Sequence, residues 1–169
     1  MAPQSASWFS RNKWILVAIS ILVLVGAWWA FRPENLWINQ RVNEPAPFVS
    51  TAEPQPIYTG TLASKAHPTT GRATIYKTSD GVEFLRLTNF STSNGPDVHV
   101  VLARGDDPNL AHEIVQGQLD SVELGALKGN QGDQNYDLST PVDLQRYNTV
   151  VIYCVRFHAI FGLAQLQQF

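Results

Sequence analysis

Hydrophobic and polar positions fall into three regimes along the chain. From Trp14 to Phe31, WILVAISILVLVGAWWAF, 18 consecutive residues carry no charge, and only Ser20 and Gly26 interrupt the aliphatic run. That length suits a transmembrane helix, which needs about 20 predominantly apolar residues to cross a hydrocarbon core. All five tryptophans, Trp8, Trp14, Trp28, Trp29 and Trp37, sit near the two ends of the run, where amphipathic rings favour the headgroup level. Arg11 and Lys13 precede it, whereas Arg32 is offset by Glu34 beyond it. The positive-inside bias then predicts a cytoplasmic tail over 1–13, an uncleaved signal anchor over 14–31 and an extracytoplasmic remainder. The competing expectation is a cleaved signal peptide: Val25-Gly26-Ala27 offers small residues at a cut, but the bulky Trp28-Trp29 pair follows at once.

The second regime, residues 32–57, has no period and contains Pro33, Pro45, Pro47, Pro54 and Pro56, as expected of an extended, semi-rigid spacer. The third, residues 58–169, alternates apolar and polar positions in short segments punctuated by Gly, Pro, Asn and Asp. Strands are predicted at Tyr58–Lys65, Arg72–Thr78, Val82–Phe90, Val98–Ala103, Val122–Leu127, Thr149–Phe157 and Ala159–Leu166. Asp80-Gly81 is a hairpin signal, and Asn94-Gly95-Pro96 a second reversal. Short helices are expected at Pro108–Ile114 and Val142–Tyr147. About seven strands without a long crossover helix predict an all-β sandwich behind one transmembrane helix and a proline-rich linker.

Net charge is −2 and the chain has no run of Lys and Arg, which argues against nucleic acid as a partner. The chain has one cysteine, Cys154, so no intrachain disulfide can form. Period two through VVIYCVRFHAIF puts Val151, Tyr153, Val155, Phe157, Ala159 and Phe161 on one unbroken apolar face, the expected core. Cys154 then lies on the other face in line with Arg156 and His158. There Arg156 would favour the thiolate, the form that is nucleophilic or binds metal. The plainer alternative is that a free cysteine packs as a small hydrophobe.

Cys154 and His158, with His99 as a second imidazole, suggest half of a copper site, but the sole Met is Met1. Residues four apart on a straight strand also stand about 13 Å from each other. His99 and His158 are therefore weak metal candidates, and no metal is assigned. Haem held by Cys154 is the other cofactor option; no C-x-x-C-H attachment motif is present. His67 and His112 read as loop residues, and no serine-hydrolase elbow or phosphate loop occurs. The alternating Asp133, Asn135 and Asp137 invite a calcium loop, but Leu138 and Leu144 stand where it wants Gly and Glu. That block is expected to be a turn.

Taken together, GPDVHVVL (95–102), LGALKGNQGDQNYDL (124–138), DLQRYNTVVIYC (143–154) and VRFHAIFGLAQL (155–166) resemble the DM-thirteen domain family, also called electron-transfer DM-thirteen. The resemblance implies an extracytoplasmic β-rich module, often tethered behind one membrane span. Its characteristic cysteine, here Cys154, would do redox chemistry as a bare thiol or hold a group such as haem. Gly95, Pro96, Asp97, Gly129, Asn130, Gln131, Gly132, Gln134 and Tyr136 match motif positions, with structural or partner-binding roles both open. The expectation is thus an electron-transfer or thiol-redox domain centred on Cys154, tuned by Arg156, with an unidentified redox or surface partner. The alternative is a cell-surface binding module presenting loops 91–97 and 128–137; a small-ligand carrier is a third, and whether the chain is an enzyme stays open.

Overall fold

A computed structural model describes residues 12–31, 38–47, 53–105, 119–138 and 140–169. They fall into two units, Met1–Trp37 and Ile38–Phe169. The first contains one helix, α1 (Lys13–Phe31), without an acidic residue in its first turn or a basic one in its last. Its side chains face outward all round: Trp14, Leu22, Leu24 and Trp29 are each more than half exposed. Among the described residues no helix is long and apolar enough to cross a membrane. Trp8, Arg11, Arg32, Glu34 and Trp37 lie outside the described residues.

The second unit is a sandwich of two antiparallel five-stranded sheets. Its strands are β1 (Gln55–Thr61), β2 (Ala63–Ser64), β3 (Thr70–Lys77), β4 (Glu83–Ser91), β5 (Val98–Ala103), β6 (Ser121–Ala126), β7 (Gln134–Asp137), β8 (Thr149–Cys154), β9 (Ala159–Gln165) and β10 (Gln167–Gln168). Sheet one runs β10-β1-β3-β4-β7 and sheet two β2-β9-β8-β5-β6. The pair β1/β10 continues into β2/β9 across single buried residues, Leu62 and Leu166. One bent ribbon thus passes from sheet to sheet and closes that side of the sandwich, which removes an exposed edge.

Between the sheets, Ile75, Leu85 and Leu87 of sheet one meet Val100, Leu102, Val150 and Ile152 of sheet two. Sheet two also buries its outer face at β5 and β8, where Val101, Ala103, Val151 and Tyr153 pack with Leu119, Ile160 and Leu163. A strand covered on both faces reads as a continuous apolar run. That is why Val150 to Tyr153 shows no alternation and why sequence parity could not say which face is interior.

Several expectations change. The strand expected at Thr149–Phe157 ends at Cys154 as β8, and residues 155–158 form the turn into β9. β7 arises where a turn was expected, and β10 was not anticipated. The helix expected at Val142–Tyr147 is a single turn, closed by Tyr147 N–H donating to Asp143 O at 2.8 Å and capped by Asp143 Oδ1. The helix expected at Pro108–Ile114, with His112, lies outside the described residues. Of the spacer, residues 38–47 do not stand free but run along the domain surface.

Candidate functional site

The β8–β9 corner gathers the redox-capable side chains, but not as the sequence suggested. Cys154 pairs with Val98 on β5 and Ala159 on β9, is 0 % exposed, and belongs to the inter-sheet core with Val98, Ile152 and Phe161. The expected polar face for Cys154 is thereby overturned: Val150, Ile152 and Cys154 point inward, and Val151 and Tyr153 outward. Parity also does not extend to Arg156 and His158, because the strand stops at Cys154 and a bulge falls between Ile152 and Tyr153. Arg156 lies exposed in the turn beyond the end of the strand.

His99 shares its register pair with Tyr153 and so lies on the outer face, across the sheet from Cys154. A copper site joining His99 to Cys154 would need both on one face. Two described cavities, about 600 and 220 Å³, lie along residues 44–54 and are lined by neither Cys154 nor a histidine. Among the described residues no three His, Cys, Asp or Glu side chains are grouped for a metal ion. The residues around the sulfur therefore do not fit Cys154-ligated haem or copper, and no step is derived through either.

On the outer face two imidazoles are engaged. Tyr153 Oη stands 3.1 Å from His158 Nδ1. His158 holds a left-handed backbone, φ 48°, rare for a residue with a Cβ, within a turn closed by its N–H donating to Val155 O. Outliers of this kind concentrate at functional sites. Burial, with the neighbouring Cys154 adding, raises the pKa of the Tyr153 phenol, so it keeps its proton at neutral pH. Beside it, His99 Nδ1 lies 2.6 Å from Glu123 Oε1 and its Nε2 3.0 Å from Asp97 Oδ1. Burial lowers the His99 pKa, but the two carboxylates override it and the net shift is upward.

The motif residues have mostly architectural tasks. Gln134 is fully buried and partnered at both ends of its amide: its Oε1 accepts from Lys128 N–H, Gly129 N–H and Tyr136 O–H, and its Nε2 donates to Gly129 O at 2.7 Å. Burial pushes the Tyr136 phenol up to about 12. Gly95 packs against Val98 and Phe161, Pro96 is exposed, and Asp97 orients His99 while its carbonyl accepts from Val155 N–H. Gly129, Asn130, Gln131 and Gly132 face residues 39–43. Sequence reasoning missed the Tyr153–His158 pair because Tyr153 was assigned to the core. The signal available was an aromatic hydroxyl five residues before an imidazole across a tight reversal.

A family model described as Electron transfer DM13 matches residues 61–166. No curated protein and no solved structure matches the chain.

Proposed function

Because the chain belongs to the electron transfer DM13 family, we propose that it is a membrane-anchored, extracytoplasmic electron-transfer domain whose one-electron site is the Tyr153–His158 pair. The observation that carries the site is the 3.1 Å contact between phenol oxygen and imidazole nitrogen. A tyrosine gives up an electron most readily when its proton has somewhere to go. With His158 Nδ1 placed to accept from the phenol O–H, a high-potential, metal-centred one-electron oxidant on a partner protein takes one electron from Tyr153. The phenol O–H bond breaks as an N–H bond forms on His158, leaving a neutral phenoxyl radical beside an imidazolium. A one-electron donor reverses both transfers. His158 is exposed, so the relay meets solvent and partner at the turn.

Anchoring through residues 14–31 is supported by the all-round apolar surface of α1, which has no stable place in water. Nineteen helical residues rise about 28 Å, just short of a hydrocarbon core of roughly 30 Å. The flanking tryptophans and basic residues of the sequence would complete the span.

The test is stoichiometric one-electron oxidation of the full chain in detergent micelles, followed by optical and electron paramagnetic resonance spectroscopy. A tyrosyl signal that Tyr153→Phe removes supports the site; a signal unchanged in Tyr153→Phe excludes it. Resistance of the chain to alkaline extraction from membranes supports the anchor, and release into the supernatant excludes it.

A further inference from the structure

Residues 39–45 lie along the block 128–135 in a partly laddered arrangement. Val42 N–H donates to Gln131 O at 2.9 Å, Gln131 N–H to Gln40 O at 3.2 Å, and Glu44 N–H to Asp133 O at 2.9 Å, with Arg41 and Gln131 in a parallel bridge. Side chains add specificity at both ends. Asn130 Oδ1 accepts from Gln40 N–H at 2.7 Å, and its Nδ2 donates to Asn39 Oδ1 at 2.8 Å. The Glu44 carboxylate accepts from Lys128 Nζ at 2.9 and 3.0 Å and from Asn135 N–H at 2.7 Å. Arg86, itself held by Asp133 and Asn135, donates to Glu44 O at 3.1 Å.

Two glycines explain why the strand fits. A Cβ on Gly129 would stand 2.5 Å from Gln40 O and 2.9 Å from Val42 Cγ2, and one on Gly132 would run into Val42 O and Asn43 Oδ1. These are the glycines of the family motif, and they leave room for a passing backbone. In contrast, none of residues 38–47 is buried or belongs to either core cluster. The segment is held chiefly by polar and backbone bonds, with Val42 half-buried beside Gly129, the mark of a locally opening unit and not of the sandwich itself. Past Glu44 the groove opens into the cavity of about 600 Å³ over Lys128, Tyr136 and Asp137.

We infer that the 128–135 block is a docking groove for an extended, glutamate-bearing peptide, and that residues 39–45 are its resident ligand. The mode is strand addition: main-chain bonds supply affinity and side-chain positions supply selectivity. The occupant it fits has an amide side chain at the start, backbone close to Gly129 and Gly132, and a carboxylate that reaches Lys128 and Asn135. An exogenous segment of that chemistry competes with the chain's own.

The experiment uses the full chain in detergent and a fluorescent peptide of residues 38–47, INQRVNEPAP. In the variant Val42→Pro/Glu44→Ala the resident segment loses an N–H donor and its carboxylate. This variant is expected to bind the peptide at least tenfold more tightly than the unaltered chain does. A peptide carrying Glu44→Ala should bind the same variant at least tenfold more weakly. Equal binding by the variant and the unaltered chain, equal binding of both peptides, or a folded variant that binds neither, overturns the inference. Should the double variant not fold, hydrogen exchange in the unaltered chain decides. The amides of Val42 and Glu44 are expected to exchange at least a hundredfold faster than those of β5 and β8, and exchange at the core rate overturns the separable-ligand reading.

Discussion

Modification of Cys154 by a thiol reagent under native conditions measures how deeply the sulfur is held. At 0 % exposure, within a cluster that includes Val98, Ile152 and Phe161, the thiol reacts only when the sandwich opens around it. An opening free energy of about 5 kcal/mol, the lower end for a small domain, leaves roughly one molecule in several thousand open. Labelling should therefore run at least about a thousandfold slower than in denaturant at the same pH. The companion substitutions separate packing from chemistry. Cys154→Ser places a hydroxyl where the sulfur sits among apolar side chains and should cost about 1–3 kcal/mol. Cys154→Ala removes one heavy atom and should cost less than that. The assay is urea unfolding beside stopped-flow labelling of the full chain in detergent. Labelling within tenfold of the denatured rate, or a Cys154→Ser variant as stable as the unaltered chain, would refute the placement of this sulfur.

Gln134→Ala strips partners from Gly129 N–H, Gly129 O and Tyr136 O–H at once, while Lys128 N–H keeps Tyr136 Oη at 3.2 Å. It should destabilise by about 3 kcal/mol or more in urea unfolding, since each buried orphan costs about 1–3 kcal/mol; a loss below about 1 kcal/mol contradicts that network. His99 has a raised folded pKa, so its stabilising contribution is complete below its unfolded value and is lost as pH rises through the folded one. The stability gap between the unaltered chain and His99→Gln should be wider at pH 6 than at pH 9. Because Asp97 and Glu123 are well exposed, the gap should stay near or below about 1 kcal/mol and shrink with salt. A pH-independent gap would refute it. Glu44 behaves oppositely: burial raises its pKa, but Lys128, the Asn135 amide and Arg86 bring it below the usual value. Its contribution is present above the unfolded pKa and lost as pH falls through the folded one. Exchange of the Val42 and Glu44 amides, corrected for intrinsic rate, should rise on acidification below about pH 4.5, and unchanged protection would contradict it.

How much of this was legible in the sequence depended on whether local pattern and tertiary environment agreed. Val98–Ala103 is β5 to the residue, because its bounds are set by turn chemistry on one side and Arg104 on the other. The all-β class followed from similar segments. β7 escaped because QNYD alternates buried Gln134 and Tyr136 with polar partners, so its inward positions do not read as hydrophobic. The facing of Cys154 escaped because β8 is buried on both sides; alternation carries no information where neither face meets water. Residues 38–47 read as a spacer because prolines mark extended chain. Extended chain is also what a groove accepts, and only the juxtaposition of Gly129 and Gly132 with residues 40–43 distinguishes the two.

The claim that this family member moves electrons through Tyr153 and not through its cysteine is tested most directly by the paramagnetic spectrum of the oxidised full chain in three forms. A tyrosyl radical in the unaltered protein and in Cys154→Ser, absent from Tyr153→Phe, is the predicted result. Loss of the one-electron signal in Cys154→Ser with its survival in Tyr153→Phe would contradict the account and return the redox centre to the buried sulfur.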